Sequence, residues 1–362
     1  MKRLLACLAL VACSTQKAAT SEPASAPAAT PPAAPAATPA APPAEATAPA
    51  PVAKGTVVHA HFKSAALGVD KQYLVYLPAG YDAQPDTRWP VFYYLHGLTG
   101  NETNWVELGK LDAAADQLGL QAIVVMPDGD DGFYVDGLAK VDYAKCMKDG
   151  TGLFVPQRQS KKDTCVRARN YETYITKDLI AHVDATYRTI PRREARAIAG
   201  LSMGGFGALM LSMRHPDLFS AAASHSGVDS LIYMGPFPYQ TGAKVERMTD
   251  VKQWGGPFVE INRWLRGLLG DDVAHWKEYD PTTLVEKLEP GTLALYLDCG
   301  TEDGFALNHG ASWLHDLLLA KKIDHAFFLG PGKHDFDFWV KRLPESLKFL
   351  RDHTSKPAGK PS

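Results

Sequence analysis

Three polar residues in the second half of the chain, Ser202, Asp303 and His334, are of types that together perform nucleophilic chemistry. A serine hydroxyl attacks a carbonyl carbon when a neighbouring imidazole accepts its proton, and a carboxylate orients that imidazole. The three types predict acyl transfer through a covalent intermediate on the serine. This prediction requires elements that bring together residues lying far apart in the sequence.

The sequence around Ser202 places it between a strand and a helix. An apolar run at 195–199 predicts a strand, and a helical pattern extends from 202 to 213. Gly200 and Gly204 complete the pattern Gly-x-Ser-x-Gly. The glycines are needed because side chains would collide with the strand and the helix at such a sharp turn. The pattern predicts that the hydroxyl of Ser202 stands clear of a sheet.

The acid is predicted from the segment that follows an apolar run at 293–297. Three carboxyl groups lie there, on Asp298, Glu302 and Asp303. Asp298 belongs to the predicted strand, where its side chain can point away from the site, whereas Asp303 lies in the loop beyond. We therefore predict Asp303 as the acid, with Asp298 and then Glu302 as alternatives.

The base is predicted to be His334, which follows an apolar run at 325–329 in a glycine-rich loop. Ligands of parallel α/β sheets bind beyond the carboxyl ends of the strands, and His334 follows such an end. His215 and His225 also flank the region of the serine, and we interpret both as structural.

The tetrahedral intermediate of acyl transfer needs backbone N–H donors for its oxyanion. One donor is the residue after the nucleophile, here Met203, and the other comes from a loop after an earlier strand. His96-Gly97-Leu98 follows the apolar run 90–95, and its glycine lets the backbone turn sharply. We predict that the N–H groups of Leu98 and Met203 form the oxyanion hole.

Short apolar runs alternate with helical patterns along the rest of the chain. Continuous apolar runs indicate strands buried on both faces, and their alternation with helices indicates a mostly parallel sheet. We predict an α/β fold with helices on both faces of this sheet. The predicted strands are 72–77, 90–95, 122–126, 195–199, 220–224, 293–297 and 325–329, and the predicted helices are 104–118, 171–187, 202–213, 311–320 and 336–351.

Two stretches, 128–170 and 228–291, interrupt this alternation, and we interpret them as insertions over the site. The second is rich in aromatic residues. It either forms a small core of its own or provides a platform for an aromatic acyl group or a sugar. Tyr134 and Trp339 are predicted to contact the substrate.

The composition limits the class of protein and its domains. The chain has 362 residues and a net charge of −2, which argues against a nucleic-acid partner bound through its phosphates. Between residues 18 and 53, 27 of 36 residues are alanine or proline, so this stretch cannot bury enough apolar area to fold. We predict a tether at 13–53, one enzyme domain at 54–353 and a disordered tail at 354–362.

The N-terminus has the features of an export signal. A basic start precedes the apolar run Leu4–Ala12, which is too short to span a bilayer. The run leads into Cys13 through Leu-Val-Ala, which resembles the signal of bacterial lipoproteins, where the cysteine is acylated. We predict a signal peptide at 1–12 and a lipid anchor on Cys13, which would hold the exported protein on a membrane. An ordinary secretory signal is the alternative.

Export affects how the other cysteines are interpreted. Cys146 and Cys165 lie in one polar stretch and are natural disulfide partners in an oxidising compartment. Cys299 ends an apolar run, and we interpret it as buried and inert. No group of cysteines and histidines has the spacing of metal ligands, so we predict neither a metal nor a cofactor.

Five motifs, taken in order, resemble those of the esterase D family, which includes feruloyl and acetyl-xylan esterases, S-formylglutathione hydrolases and mycolyltransferases. The resemblance is strongest to the feruloyl-esterase-type members and extends from about residue 56 to 351. It implies the α/β-hydrolase fold and supports Ser202, Asp303 and His334 as a triad. The motifs are His96-Gly97, Tyr171–Ile175 with Asp178-Leu179, Arg196–Ala208, Asp298–Asp303 and Gly332–Trp339.

These features predict a serine ester hydrolase acting on a feruloyl-type, acetyl-type or other short-chain ester, either small or linked to a polysaccharide. Transfer of the acyl group to a sugar or alcohol is an alternative, because water and alcohol compete for the same acyl-enzyme. A lipid-anchored binding protein on a hydrolase scaffold is a second alternative. The lipid anchor is the only membrane contact that we predict.

Overall fold

The computed structural model describes residues 52–157, 160–255 and 258–359. The predicted signal peptide, the predicted acylation site Cys13 and almost all of the predicted tether lie outside the described residues. Within these ranges, no helix combines the length and the apolar character needed to cross a membrane.

Eight of the ten strands in the described ranges form one sheet. The strands are β1 (Thr56–Lys63), β2 (Asp70–Leu77), β3 (Val91–Leu95), β4 (Ile123–Pro127), β5 (Arg196–Leu201), β6 (Ala221–His225), β7 (Tyr233–Gly235), β8 (Glu246–Arg247), β9 (Ala294–Gly300) and β10 (His325–Gly330). The order in the large sheet is β1-β2-β4-β3-β5-β6-β9-β10. β2 runs antiparallel to β1 and β4, and the other neighbours are parallel. β7 and β8 form a separate antiparallel pair.

Helices cover both faces of the sheet. Those in the described ranges are α1 (Asn104–Glu107), α2 (Leu111–Gln117), α3 (Tyr143–Asp149), α4 (Lys161–Thr164), α5 (Tyr171–Thr173), α6 (Ile180–Thr186), α7 (Met203–Arg214), α8 (Val259–Leu269), α9 (Val273–Lys277), α10 (Pro281–Leu284), α11 (Leu307–Ala320) and α12 (Phe336–Asp352). A π-helical turn at Tyr174–Leu179 joins α5 to α6. One core includes residues of α5, α6, α7 and α11, and the core on the opposite face includes residues of α1, α2 and α12. The predicted α/β-hydrolase fold is confirmed.

Strand β3 explains why the central strands are apolar at every position. Val91, Tyr93 and Leu95 belong to one core, whereas Phe92 and Tyr94 belong to the core on the other face. All five are fully buried. Because successive side chains point to opposite faces, a strand covered on both sides needs an apolar residue at each position.

Two local differences from the predicted elements have clear physical causes. Strand β1 lies at the edge of the sheet with most of its side chains at least partly exposed, so it lacks the apolar run that identifies the central strands. The predicted helix 104–118 is two helices, because Lys110 adopts a φ of 56° between them. A Cβ at Gly109 would lie 2.6 Å from the carbonyl oxygen of Trp105, so this turn needs glycine.

The ends of the folded region also differ from the prediction. The N–H of Ser355 donates to the carbonyl oxygen of Glu194 over 2.7 Å, and Arg88 and Ala358 exchange backbone hydrogen bonds of 2.8 and 3.0 Å. The ordered domain therefore continues beyond His353 to at least Ala358, in place of a disordered tail from 354. Backbone pairing of this kind leaves no mark on the side-chain pattern.

Candidate active site

Ser202 lies at the turn between β5 and α7. Its φ is 55°, in the left-handed region that residues other than glycine rarely adopt. A Cβ at Gly204 would lie 2.3 Å from the carbonyl oxygen of Leu95, and one at Gly200 would lie 2.3 Å from the backbone of Gly204. These two close approaches are the physical reason for both glycines of the Gly-x-Ser-x-Gly pattern.

His334 lies between Ser202 and Asp303, within hydrogen-bond distance of both. Its Nε2 is 2.9 Å from Ser202 Oγ, and its Nδ1 is 2.7 Å from Asp303 Oδ2. The other oxygen of Asp303 accepts a hydrogen bond of 2.8 Å from the N–H of Phe305. The structure thus brings the predicted nucleophile, base and acid into one hydrogen-bonded chain, in which the carboxylate can stabilise an imidazolium.

Asp298, the alternative acid, pairs with a different histidine. Its Oδ2 is 2.8 Å from His225 Nδ1, and His225 Nε2 is 2.8 Å from Ser346 Oγ. All three residues are fully buried, so the chain contains a second Ser–His–Asp set that is closed to solvent. Glu302 is exposed. Of the three candidate acids, the structure places Asp303 against His334.

The loop that begins at His96 lies beside Ser202 and carries Leu98. A Cβ at Gly97 would lie 3.3 Å from the Cβ of Ser202, so the backbone passes close to the nucleophile. Leu98, Met203 and Ser202 line the same cavity. The N–H of Leu98 has no acceptor among the described residues. The two predicted oxyanion donors are therefore both located next to Ser202.

The segment 128–134, which follows β4, holds this loop in place. Three hydrogen bonds join the two: Gly129 N–H to His96 Nε2 (2.9 Å), Thr99 N–H to Asp131 Oδ1 (2.6 Å) and Tyr134 O–H to the carbonyl oxygen of His96 (3.0 Å). Tyr134 is fully buried and lies outside the cavity lining. This is a correction to the predicted substrate contact, because its hydroxyl is already used to support the loop.

A fully buried lysine, Lys71, anchors segment 128–134 in turn. Its Nζ donates to Asp128 and Asp130, both over 2.8 Å, and to the carbonyl oxygen of Asp163 over 3.0 Å. Burial favours the neutral forms of all three groups. The ion pairs outweigh burial for Lys71, whose pKa is raised, and for Asp128, whose pKa lies well below its usual range, whereas burial and the nearby charge of Asp128 raise the pKa of Asp130 to about 7. Removing one partner would leave an unpaired charge in the core.

The motifs of the sequence do not reveal this support. The signals that could have indicated it are Lys71, which alternates with the apolar residues Tyr73 and Val75 on one face of β2, and three aspartates in the four residues after β4. A charge at a position that must be buried requires a partner of opposite sign. Neither signal identifies the partner without the topology that makes β2 and β4 neighbours.

Ser202 and His334 lie in the wall of a cavity of about 740 Å³. Its described lining includes no lysine or arginine, and its acidic side chain is that of Asp229. Both predicted insertions contribute apolar residues to the wall, among them Phe133, Phe154, Tyr233, Phe237, Trp254, Phe258 and Ile261. The aromatic stretch 228–291 thus contributes to the wall and, through buried residues such as Trp276, to the core as well.

Trp339 lies beside the base. Its ring packs edge-on against that of His334, with the ring centroids 5.0 Å apart. Its Nε1 donates to the hydroxyl of Ser226 over 3.1 Å, and the residue lines the cavity. This position is compatible with the predicted substrate contact.

Cys146 and Cys165 form the predicted disulfide. Such bonds persist in oxidising compartments, which favours an exported protein. Cys299 is buried and free, and its thiol donates to Asp303 Oδ2 over 3.6 Å. The described ranges hold no group of three or more side chains that could bind a metal ion.

Comparisons with known proteins identify the family to which the chain is similar. The Esterase family model matches residues 64–350. The S-formylglutathione hydrolase of Rattus norvegicus is 26% identical over 287 residues, which cover 78% of this chain and 86% of that protein.

Two solved structures share the fold. An S-formylglutathione hydrolase from Agrobacterium tumefaciens has a TM-score of 0.61 at 20% identity, covering 85% of this chain and 99% of its own. A ferulic acid esterase has a TM-score of 0.60 at 22% identity, covering 83% and 99%. Because the family match spans most of the folded domain, the chain belongs to the Esterase family and is a carboxylic ester hydrolase.

Proposed function

We propose that the protein hydrolyses esters through an acyl-enzyme on Ser202, with His334 as the base and Asp303 as the acid. The observation that carries this proposal is the chain of hydrogen bonds of 2.9 and 2.7 Å from Ser202 Oγ through His334 to Asp303. The chain lies in the wall of a cavity that is large enough for a substrate.

In the first half of the reaction, Ser202 Oγ bonds to the ester carbonyl carbon while His334 Nε2 takes the hydroxyl proton. Asp303 stabilises the resulting imidazolium. The N–H groups of Leu98 and Met203 hold the oxyanion, and one such donor contributes about 3–4 kcal/mol of transition-state stabilisation. The intermediate then collapses: the bond to the alcohol oxygen breaks, and the alcohol leaves with the proton from His334.

In the second half, a water molecule takes the place of the alcohol. His334 accepts a proton from this water as its oxygen bonds to the acyl carbon. Collapse of the second intermediate breaks the bond to Ser202 Oγ, which recovers its proton from His334. The carboxylic acid is released, and the enzyme returns to its starting state.

The cavity lining favours a neutral ester of the feruloyl or short-chain type. Some relatives are named S-formylglutathione hydrolases. Glutathione carries two carboxylates, and a site for it would be expected to offer cationic side chains. The described lining contains neither lysine nor arginine. The apolar wall therefore supports a neutral acyl group and alcohol.

We further propose that the enzyme acts outside the cytoplasm, held to a membrane through a lipid on Cys13. The disulfide between Cys146 and Cys165 supports export. The apolar run that leads into Cys13 supports acylation of that residue.

A panel of acetyl, butyryl and feruloyl esters and S-formylglutathione tests the reaction and the substrate class together. The expected result is hydrolysis of neutral esters by the wild type, modification of Ser202 by a fluorophosphonate probe, and loss of both in Ser202→Ala. Ser346→Ala is the matched control, because it alters the closed Ser–His–Asp set. Near-full hydrolysis by Ser202→Ala would eliminate the mechanism, and a preference for S-formylglutathione would eliminate the substrate class.

A further inference from the structure

The disulfide between Cys146 and Cys165 joins two short helices that bury almost nothing of their own. Cys146 lies in α3, and Cys165 directly follows α4. The buried side chain of α3 is that of Cys146, and no side chain of α4 is buried. Both cysteines are buried, with exposed fractions of 2% and 1%. Helices of seven and four residues are unstable without tertiary contacts, so these two helices depend on the disulfide to stay together.

Two further contacts between these segments lie at the surface. The Nζ of Lys161 donates to the carbonyl oxygen of Lys148 over 3.0 Å, in an exposed position. The guanidinium of Arg167 lies 4.0 Å from the ring centroid of Tyr143. Because exposed contacts of long charged side chains contribute little to stability, breaking the disulfide would leave α3 and α4 only weakly joined.

Helix α4 provides one of the three acceptors of Lys71. Asp163 lies in α4, two residues before Cys165, and its carbonyl oxygen accepts from Lys71 Nζ over 3.0 Å. An ammonium group has three donors, and Asp128 and Asp130 accept the other two. Displacement of α4 would therefore leave a buried donor unpaired and disturb the group that anchors the support of the active-site loop.

A second route leads from the segment after α3 to the same loop. Phe154 packs edge-on against Trp264, with the ring centroids 5.4 Å apart. Trp264 Nε1 donates to the carbonyl oxygen of Asp131 over 2.7 Å, and Asp131 Oδ1 accepts from the N–H of Thr99 over 2.6 Å. Thr99 adjoins Leu98, which carries the proposed oxyanion donor. The two sides of the disulfide thus reach the active-site loop through separate contacts.

On the basis of the proposed function, we infer that the Cys146–Cys165 disulfide positions the oxyanion hole, so that the oxidation state of this pair controls the rate of acyl transfer. The oxidised pair holds the N–H of Leu98 beside Ser202. Reduction by a dithiol breaks the S–S bond and gives two thiols, while the dithiol is oxidised to its own disulfide. Helices α3 and α4 can then separate. The enzyme is therefore poorly active in a reducing compartment and reaches full activity once the disulfide has formed.

The first test compares the wild type with the double variant Cys146→Ala/Cys165→Ala on one neutral ester. The value of kcat is expected to fall about tenfold or more, with a smaller change in KM, because a displaced oxyanion donor acts on the transition state. The affinity for a trifluoromethyl ketone should fall by a similar factor, since its adduct with Ser202 places an oxyanion against the same donors. A disulfide that only stabilises the fold would leave both values unchanged in the folded protein.

Hydrogen exchange measures the position of the loop without turnover. The N–H groups of Thr99 and Gly129 join the loop to segment 128–134 through hydrogen bonds of 2.6 and 2.9 Å. Both should exchange about tenfold faster or more in the double variant, because the loosened segment opens more often. Leu318→Ala is the matched control, since Leu318 is fully buried in α11, which provides none of the contacts described above. This change destabilises the fold by a similar amount but should leave kcat and both exchange rates close to those of the wild type.

If the double variant does not give a cooperative thermal melt, reduction of the folded wild type by dithiothreitol decides. Loss of activity should then parallel the appearance of two additional thiols, and full activity after their appearance would overturn the inference. So would a kcat of the double variant within twofold of that of the wild type, an unchanged affinity for the ketone, unchanged exchange, or equal losses in Leu318→Ala. If the wild type hydrolyses no ester, the proposed function fails, and the exchange at Thr99 and Gly129 alone decides whether the disulfide positions the loop.

Discussion

At the residue scale, the proposed chemistry depends on which side chain faces which. Asp298 and Asp303 are five positions apart along the chain, yet they pair with different histidines. The strand continues through Asp298 to Gly300, which buries the first carboxyl among core residues and leaves the second for the loop. Asp298 and Asp303 therefore have different roles because one lies within the strand and the other lies in the loop beyond its end.

The two aspartates predict different kinetic effects. Asp303→Asn should lower kcat by on the order of 10⁴, because an amide neither selects the imidazole tautomer nor stabilises the imidazolium. Asp298→Asn should retain most of kcat, although the change weakens a buried network. Steady-state kinetics on one neutral ester measure both. Comparable losses in the two variants would contradict the assignment of Asp303.

Asp229 predicts a pH-dependent stability. Burial raises the native pKa of this carboxyl group to about 7, whereas an aspartate in an unfolded chain titrates near ~3.9. The native state holds this proton more tightly, so the stabilisation is complete below about pH 4 and is lost as the pH rises through 7. Asp229→Asn removes the titration. Between pH 5 and pH 8, the free energy of unfolding of the wild type should therefore fall by about 1–3 kcal/mol relative to this variant.

Urea unfolding of both proteins at the two pH values measures this difference. The value for Asp229→Asn at pH 5 serves as the reference for the effect of the substitution itself. Parallel pH curves would show that Asp229 titrates normally in the native state.

At the scale of elements, the support of the active-site loop is more elaborate than the motif suggests. The motif at 96–98 supplies the proposed donor, but its position depends on segment 128–134, and that segment depends on Lys71 of β2. The position of the donor beside Ser202 therefore depends on contacts among three separate stretches of chain. We therefore expect residues that do not contact the substrate to affect catalysis.

Lys71→Met should lower both stability and turnover. Leaving the buried carboxyl groups of Asp128 and Asp130 without their cation is expected to cost about 3–5 kcal/mol of stability. A displaced oxyanion donor should lower kcat by about 10²-fold, with little change in KM. Lys145→Met, which breaks an exposed ion pair, is the control. The triple variant Lys71→Met/Asp128→Asn/Asp130→Asn should recover part of the stability, because it removes the buried negative charges together with the lysine. A kcat of Lys71→Met equal to that of the wild type would contradict the role of Lys71 in supporting the loop.

The disulfide predicts a stability effect of its own. Cys146 and Cys165 are 19 residues apart, and a loop of that size corresponds to about 3 kcal/mol in the chain-entropy description. Cys146→Ala/Cys165→Ala should lower the free energy of unfolding by roughly that amount, measured by denaturant titration. A reductant should destabilise the wild type but leave the double variant unaffected. Sensitivity of the double variant to the reductant would indicate another cause.

Much of the fold was predictable because the central strands are covered on both faces and therefore carry uninterrupted apolar runs. The turn at Ser202 was predictable because steric limits require its glycines. Strand β1 was not predictable, because a strand at the edge of the sheet needs no apolar run. The pairing of Arg88 with Ala358 was not predictable either, because backbone hydrogen bonds do not depend on the type of side chain. The role of Lys71 depends on which strands are neighbours, which no local pattern contains.

At the scale of the whole molecule, the described domain contains the candidate active site, and the N-terminal sequence predicts that the protein is attached to a membrane. Cys13→Ser should move the protein from the membrane fraction to the soluble fraction of a bacterial host, because stable anchoring depends on the acyl chains. Cys299→Ser is the control for loss of a cysteine. The measurement is fractionation with labelled palmitate, and an unchanged distribution of Cys13→Ser would contradict the anchor.

The closed set of Ser346, His225 and Asp298 has a further consequence. It repeats the residue types of the proposed triad, with similar distances of 2.8 Å, in a place that neither water nor an ester reaches. The buried set therefore serves, within the same molecule, as a reference for the reactivity of these side chains when neither water nor substrate can reach them. If a serine-directed reagent modifies Ser202 but not Ser346, the reactivity of a serine in this protein depends on its location and not on the identity of its neighbours.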